Sequence, residues 1–465
     1  MHDQDPILLA ALRDAAITRE VAMASGALSS LPSIASRCLG GARVQVVADD
    51  ATYAAAGVRA NEHLIASNLR CTDPMILSES PRLKPKVETA EGIAARLRDT
   101  DSVAIAVGSG VINDLVKYAS ALVKRPYVCV ATAASMDGYA ASGAALLDSG
   151  FKRTFQCDPA VAVLADLDVL ARAPLCMASW GYGDMAGKFI AGADWTIADA
   201  LGCDEIDRRS YAMVQDHLHA WLDSPQRLNE RSPEAFGRLL TGLLVSGFAM
   251  QAHGNSRPAS GSDHQIAHLW EMEGVSIAGV PVAHGACVGI GCVAMLALYE
   301  WLLEQPIGAT DIERAVATST DHAALEREIA CSFSDATIVE SAHREMREKT
   351  SSGRRGDRMR RLAQGWPQLR ARLTESLPSA TQMQQSLRAA GGAAHPADLG
   401  IGLPKLAADY RRARLIRRRY TVLDLVDELG WLDRAIDALF AVDGFWGRQQ
   451  HATTTTREAA ARASQ

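Results

Sequence analysis

His264 and His268 stand four residues apart in the segment SRPASGSDHQIAH at 256–268, so on a helix their imidazoles share one face. His284 follows, immediately before Gly285. Imidazole nitrogens gathered in this way suit a divalent metal, and a mononuclear site needs one more donor. The best candidate lies upstream in WGYGDMAGK at 180–188, where Asp184 follows a glycine at what reads as a helix start. An oxygen donor beside imidazole nitrogens suits zinc, nickel or ferrous iron. The same i,i+4 spacing also describes a plain polar pair on a helix surface, and the spacing alone leaves both readings open.

A second group of residues suits phosphate chemistry. The apolar run 102–107 has the character of a buried parallel strand and leads into Gly108-Ser109-Gly110, which opens the helix VINDLVKYA at 111–119. Free N–H groups at that helix start can hold a pyrophosphate, and the glycines let a ligand approach the backbone. Asn113 stands where the third glycine of GxGxxG would fall, so a ligand-free turn explains the pattern about as well. The next strand, 127–131, breaks into TAASMDGYA at 132–140, a polar loop at a strand's carboxyl end, where open α/β sheets bind ligands. Asp137-Gly138 within it also reads as an ordinary turn.

The elements that must position these groups fall into two parts. Residues 1–37 have helical periodicity and read as a leading segment. Residues 38–180 read as an α/β dinucleotide-binding domain with a parallel sheet, containing strands near 43–49, 75–77, 102–107, 127–131 and 161–166. From 181 to 449 the pattern is helical, with long helices near 234–252 and 288–303, and the tail 450–465, with four consecutive threonines, is expected to be disordered. The basic run at 353–361 reads as a solvated helix face. Asp49 and Asp50 end the first of these strands. A carboxylate there accepts hydrogen bonds from the adenosine ribose hydroxyls and repels a 2′-phosphate, and no arginine follows it until Arg59, so NAD(H) is expected over NADP(H). The competing reading is that the two acids cap the next helix.

The chain has 465 residues with 48 basic and 54 acidic side chains, a net charge of −6 that argues against a nucleic-acid or membrane-surface binder. Its nine cysteines form no CxxC pair, as expected of reduced thiols in a cytoplasmic protein. No segment reads as a signal peptide or a membrane anchor, so no membrane insertion is expected.

On the motifs GSGVINDLVKY at 108–118, TAASMDGYA at 132–140, GYGDMAGK at 181–188, SRPASGSDHQIAH at 256–268 and HG at 284–285, the chain resembles the sn-glycerol-1-phosphate dehydrogenases. These belong to the iron-containing alcohol dehydrogenase and glycerol dehydrogenase superfamily. The resemblance covers about residues 40–445. It implies an α/β nucleotide-binding domain followed by an all-α metal-binding domain. It also implies one divalent metal (zinc, nickel or iron) on Asp184, His264 and His284, with His268 and Asp137 at the substrate. Gly108, Ser109, Gly110, Val111 and Ile112, together with Thr132, Ala133, Ala134 and Ser135, would line the dinucleotide. The implied reaction interconverts dihydroxyacetone phosphate and sn-glycerol 1-phosphate, a step of phospholipid metabolism, by hydride transfer between NAD(P)H and a metal-polarised carbonyl. A polyol dehydrogenase or a sugar-phosphate-processing relative on the same scaffold is the alternative. A metal-bearing scaffold that binds a partner is a third, weaker reading. A homo-oligomer is expected. One departure is that Ala141 fills the place where the family carries a cofactor-touching serine, with Ser142 next. Lys188 and Arg257 are the cations considered for the substrate phosphate, each with an ion-pair role as its equal alternative.

Overall fold

The computed structural model describes residues 5–449 apart from 81–82, 149–150, 319–321 and 351–354. Eight strands occupy the first part: β1 Glu20–Ala24, β2 Arg43–Asp49, β3 Met75–Leu77, β4 Ser102–Gly108, β5 Val128–Ala131, β6 Ala144–Asp148, β7 Phe151–Phe155 and β8 Ala162–Asp166. Six form one sheet in the order β1-β8-β5-β4-β2-β3, with every neighbouring pair parallel. β6 and β7 make a separate antiparallel pair.

The central strand explains the apolar runs. All seven residues of β4 are buried because helices cover both faces of the sheet. Side chains alternate along it, so Val103, Ile105 and Val107 pack with Leu31, Ile34 and Leu64, while Ala104 and Ala106 pack on the opposite face with Leu97, Ile112 and Leu115. The alanine face lets the helix Gly110–Val123 lie close to the strand it follows.

The five strands expected from the sequence lie where the β-branched runs put them. The leading segment differs. Pro6–Leu12 and Leu31–Leu39 are helices, but Glu20–Ala24 is an edge strand paired along its whole length with β8. Only one of its five residues, Val21, is β-branched, so local propensity does not announce it, and the pairing comes from the β8 backbone. The pair β6 and β7 was likewise not expected.

After β8 the described residues are helical apart from the short pair Ser276–Ile277 and Val280–Pro281. Leu175–Leu201, Pro233–His253, Ser262–Met272 and His284–Glu304 build the core of this part, around the fully buried Trp195 and Trp270. Two of these helices, Pro233–His253 and His284–Glu304, are long and apolar enough to cross a membrane, but the fold buries 89% and 83% of their most apolar stretches. None of the nine cysteines forms a disulfide. The tail 450–465, expected to be disordered, and the start of the basic run at 353–354 lie outside the described residues.

Candidate metal centre and cofactor turn

Three helices assemble the candidate metal centre. His264 lies in the first turn of Ser262–Met272, and His284 opens His284–Glu304. Asp184, expected at a helix start, instead lies well inside Leu175–Leu201. Its neighbouring glycines therefore do not start a helix; they set how closely the helices pass. A Cβ on Gly183 would collide with the Gly285 carbonyl, and one on Gly285 with the Trp180 carbonyl. On Gly187 it would collide with the Asp263 carboxylate and come within 3.3 Å of the His264 ring. The motifs GYGDMAG and HG are thus a backbone-to-backbone crossing that draws Asp184, His264 and His284 together.

The ligand atoms of these three residues lie within 4.8 Å of one another. Each imidazole is held from behind: His264 Nδ1 lies 2.8 Å from Asp263, and His284 Nδ1 lies 2.8 Å from Glu271. That leaves Nε2 of each ring as the donor, in the carboxylate–imidazole arrangement that fixes tautomer and orientation at metal sites. One carboxylate and two such imidazoles fit zinc, nickel or ferrous iron. His268 stacks beside His284 with centroids 5.5 Å apart, and its Nδ1 lies 3.1 Å from the second oxygen of Glu271. His268, Glu271 and His284 also stand at ligand spacing, but Glu271 there already serves both rings.

Charge is balanced inside the protein. Lys188 is fully buried, and its Nζ lies 2.7 Å from Asp184 Oδ1 and 2.7 Å from Asp137 Oδ2. Burial alone would favour its neutral form, but the two carboxylates outweigh burial and hold the ammonium. Burial likewise pushes the Asp184 carboxyl up, and Lys188 with the two imidazoles overcomes this and leaves it well below the usual carboxylate range. His268 is pushed down by burial more than Glu271 raises it, so the ring is neutral at pH 7. Asp137 also accepts from Ser246 Oγ at 3.1 Å and donates its backbone N–H to Asp184 Oδ2 at 3.0 Å.

Both cations considered for the phosphate are ion-paired. Lys188 is held as described. Arg257 is buried and lies 3.0 Å from Asp204, with a further donation to the Asp194 carbonyl at 3.1 Å.

The candidate cofactor turn is built from a different kind of atom. Gly108 ends β4, and Ser109 precedes the helix Gly110–Val123, whose first intrahelical bond runs from Asn113 N to Ser109 O. The N–H groups of Gly110, Val111 and Ile112 precede that bond and are the free donors of a helix start. The Ile112 side chain is buried in the core against Gly108, so only its backbone faces outward. Thr132 N donates to Gly108 O at 3.1 Å, which joins the TAAS loop to the turn. Ala133 and Ala134 are buried, with the Ala133 carbonyl accepting from Tyr139 Oη at 2.6 Å and the Ala134 carbonyl against Gly181. Ser135 Oγ lies 3.4 Å from the same Tyr139 hydroxyl. Asp49 N-caps the next short helix, its Oδ1 accepting from Thr52 N at 2.7 Å, and Asp50 accepts from Ser78 Oγ at 2.6 Å. β2 and β4 pair Val47 with Ala106, which carries Asp49 to the level of Gly108. Ala141 is buried with its carbonyl on Lys117, whereas Ser142 lines the cavity.

Several supporting residues escaped the sequence reading. Lys117 is buried and donates to the carbonyls of Gly138, Ala141 and Gly143 at 2.8–2.9 Å, and Asn113 Nδ2 donates to Gly138 O at 3.2 Å. Together they fix the loop that carries Asp137. Asp263, next to His264, and Glu271, one turn after His268, had a visible signal in their spacing. Ser246 had none. A cavity of about 1220 Å³ holds Asp137, His264, His268 and His284 on its wall.

The sequence model of the iron-containing alcohol dehydrogenases matches residues 22–174. The chain is 30% identical to the glycerol-1-phosphate dehydrogenase (NAD(P)+) of Bacillus subtilis strain 168 over 70% of each chain. It is 28% identical to the enzyme of that name from Halalkalibacterium halodurans over 83% of this chain and 86% of the relative. Among solved structures, a probable glycerol dehydrogenase from Sinorhizobium meliloti 1021 superposes with a TM-score of 0.57 at 15% identity, over 91% of this chain and 98% of that one. A sulfoacetaldehyde reductase from Bifidobacterium kashiwanohense, solved in complex with NAD+, gives 0.56 at 14% identity with the same coverage. The parallel sheet, the helical half and the kinship with the Bacillus subtilis relative make this chain a member of the glycerol-1-phosphate dehydrogenase family of iron-type alcohol dehydrogenases.

Proposed function

We propose that this chain is a metal-dependent oxidoreductase that interconverts dihydroxyacetone phosphate and sn-glycerol 1-phosphate with a nicotinamide cofactor. The observation that carries the reading is the meeting of Asp184, His264 and His284 within 4.8 Å of one another, with Asp184 buried behind a cavity wall that carries the two histidines together with His268 and Asp137. Reduction delivers a hydride to the carbonyl carbon and a proton to its oxygen. A divalent ion on the trio supplies polarisation of that carbonyl when bound, and the nicotinamide supplies the hydride.

The chain's own residues do the rest. Asp184, His264 and His284 are the ligands, with Asp263 and Glu271 fixing the two rings. His268 directs Nδ1 at Glu271, so its Nε2 is the atom available to accept a hydrogen bond from a substrate hydroxyl and to relay the proton. Asp137 is held by Lys188 and Ser246 at the cavity wall, where it orients the substrate. The N–H groups of Gly110, Val111 and Ile112 receive the pyrophosphate, with Gly108, Ser109 and Thr132 to Ser135 forming the rest of the cradle. Asp49, at the level of Gly108, favours NAD(H) over NADP(H) even while it caps its helix, because one carboxylate has acceptor capacity for both.

The test is NADH and NADPH oxidation by metal-loaded protein, first with dihydroxyacetone phosphate and then with dihydroxyacetone, followed by stereochemical analysis of the product. Preference for the unphosphorylated ketone, or formation of the sn-3 product, would sink the substrate assignment.

A further inference from the structure

We propose that Arg417 is the residue that receives the phosphate of the substrate. The inference rests on the triose-phosphate reading above and deepens it. A phosphoryl dianion needs a cation with hydrogen-bond donors to give, and arginine offers two in parallel. The cavity that holds the three histidines is also lined by several cations, so the question is which of them has donors left.

Most are committed. Arg257 is ion-paired with Asp204, and Lys349 lies 2.7 Å from Asp424. Arg358 pairs with Glu428 and Arg418 with Glu348. Arg419 donates to the carbonyl of Ser260 at 2.5 Å and to Ser256 Oγ at 3.1 Å. Among the described residues, Arg417 and Arg361 are the cavity arginines whose side chains make no hydrogen bond or ion pair. Arg361 packs against Gly202. Arg417 is the one whose charge acts on His268, the residue placed beside the reacting carbonyl.

The backbone explains how Arg417 comes to be there. The chain leaves the short helical turn Arg414–Ile416 with Arg417 at φ −145° and ψ 140°, which is extended. Arg417, Arg418 and Arg419 all line the cavity, and Arg418 is taken there by Glu348, which lines it too. Arg419 pins the run to Ser256 and Ser260, in the loop that leads into the His264 helix. Arg417 thus stands on the wall of the same cavity as His264, His268 and His284. Glu271 and Glu345 also act on Arg417 electrostatically, but neither closes to an ion pair with it, so its guanidinium keeps its donors.

The experiment is steady-state kinetics on the metal-loaded full chain. Arg417 is exposed, so Arg417→Ala is expected to fold, and an unchanged thermal midpoint checks this. Arg417→Ala should raise KM for dihydroxyacetone phosphate about 100-fold, the loss expected for a charge-assisted phosphate contact, with kcat little changed. KM for unphosphorylated dihydroxyacetone should stay as in the wild type. Inorganic phosphate should compete with the substrate in the wild type and lose that inhibition in the variant, and Arg417→Lys should recover part of both. If Arg417→Ala keeps the wild-type KM and phosphate inhibition, or if Arg361→Ala shows these losses instead, the assignment is overturned. A wild type that does not turn over dihydroxyacetone phosphate sinks the parent reading, and the two failures are thereby distinguished.

Discussion

The glycine turn proposed for the cofactor and the trio proposed for the metal lie in the same molecule but are made in opposite ways. The turn comes from consecutive residues, 108–112, at one strand-to-helix junction, and the donors it offers are backbone N–H groups. The metal trio comes from three helices and uses side chains, brought together only because Gly183, Gly187 and Gly285 leave no Cβ in the way. A site of backbone donors tolerates changes of side chain. A site of converging side chains depends on every ligand and on the helix crossing beneath it.

The largest expected effects therefore fall on the trio. Asp184→Ala, His264→Ala and His284→Ala should each strip the metal and abolish turnover, because two remaining ligands hold the ion too weakly. His268→Ala should keep its metal and lose about 100-fold or more in kcat. Elemental analysis beside activity separates the two classes, and a metal-free His268→Ala with a fully loaded His264→Ala would reverse the assignment.

A next pair compares the two regions directly. Gly183→Ala drives a methyl into the Gly285 backbone, which has no room to yield. It should cost about 2–3 kcal/mol in urea unfolding, as overpacking does, and reduce metal content. Gly110→Ala meets only the Met136 thioether at 3.0 Å, a flexible end, so it should cost less than about 1 kcal/mol and change mainly KM for the cofactor. Equal losses in the two variants would refute the contrast.

The smallest effect is expected at Asp49. Asp49→Ser keeps a helix-capping side chain while removing the charge, so stability should change little. The NADH-over-NADPH preference in kcat/KM should fall about tenfold, since a single repulsive carboxylate is lost. A wild type that favours NADPH, or a variant with an unchanged ratio, would leave Asp49 as a cap alone.

The same contrast governs what the sequence reveals. β2 and β4 are legible because buried parallel strands are continuous β-branched or apolar runs, and the turn after β4 is legible because it is local. β1 is not, since EVAMA has no strand signature and depends on a partner far along the chain. AALLD in β6 consists largely of good helix formers, which hides that strand as well. At the site, residue types and motifs point to Asp184, His264 and His284 and leave Lys188 an ion-pair role, but they do not say that it joins two carboxylates, or that Arg417, among the described residues, makes no hydrogen bond or ion pair. Those facts depend on which donors neighbours have already taken, and spacing does not record that. The glycines of GYGDMAG read as a helix start because glycine near an acid often marks one, and only the crossing of two backbones reveals their purpose.

Lys188 has a mechanical consequence as well as an electrostatic one. Asp137 belongs to the loop after β5, and Asp184 to the first long helix of the helical half, so one buried ammonium ties the sheet side to the helix side. The Asp137 N–H on Asp184 and the Ala134 carbonyl against Gly181 reinforce that seam. Prising it open would strand a charge away from water at a cost of several kcal/mol. Lys188 therefore acts as a rivet between the two halves, fixing the spacing of Asp137 and Asp184 across the seam.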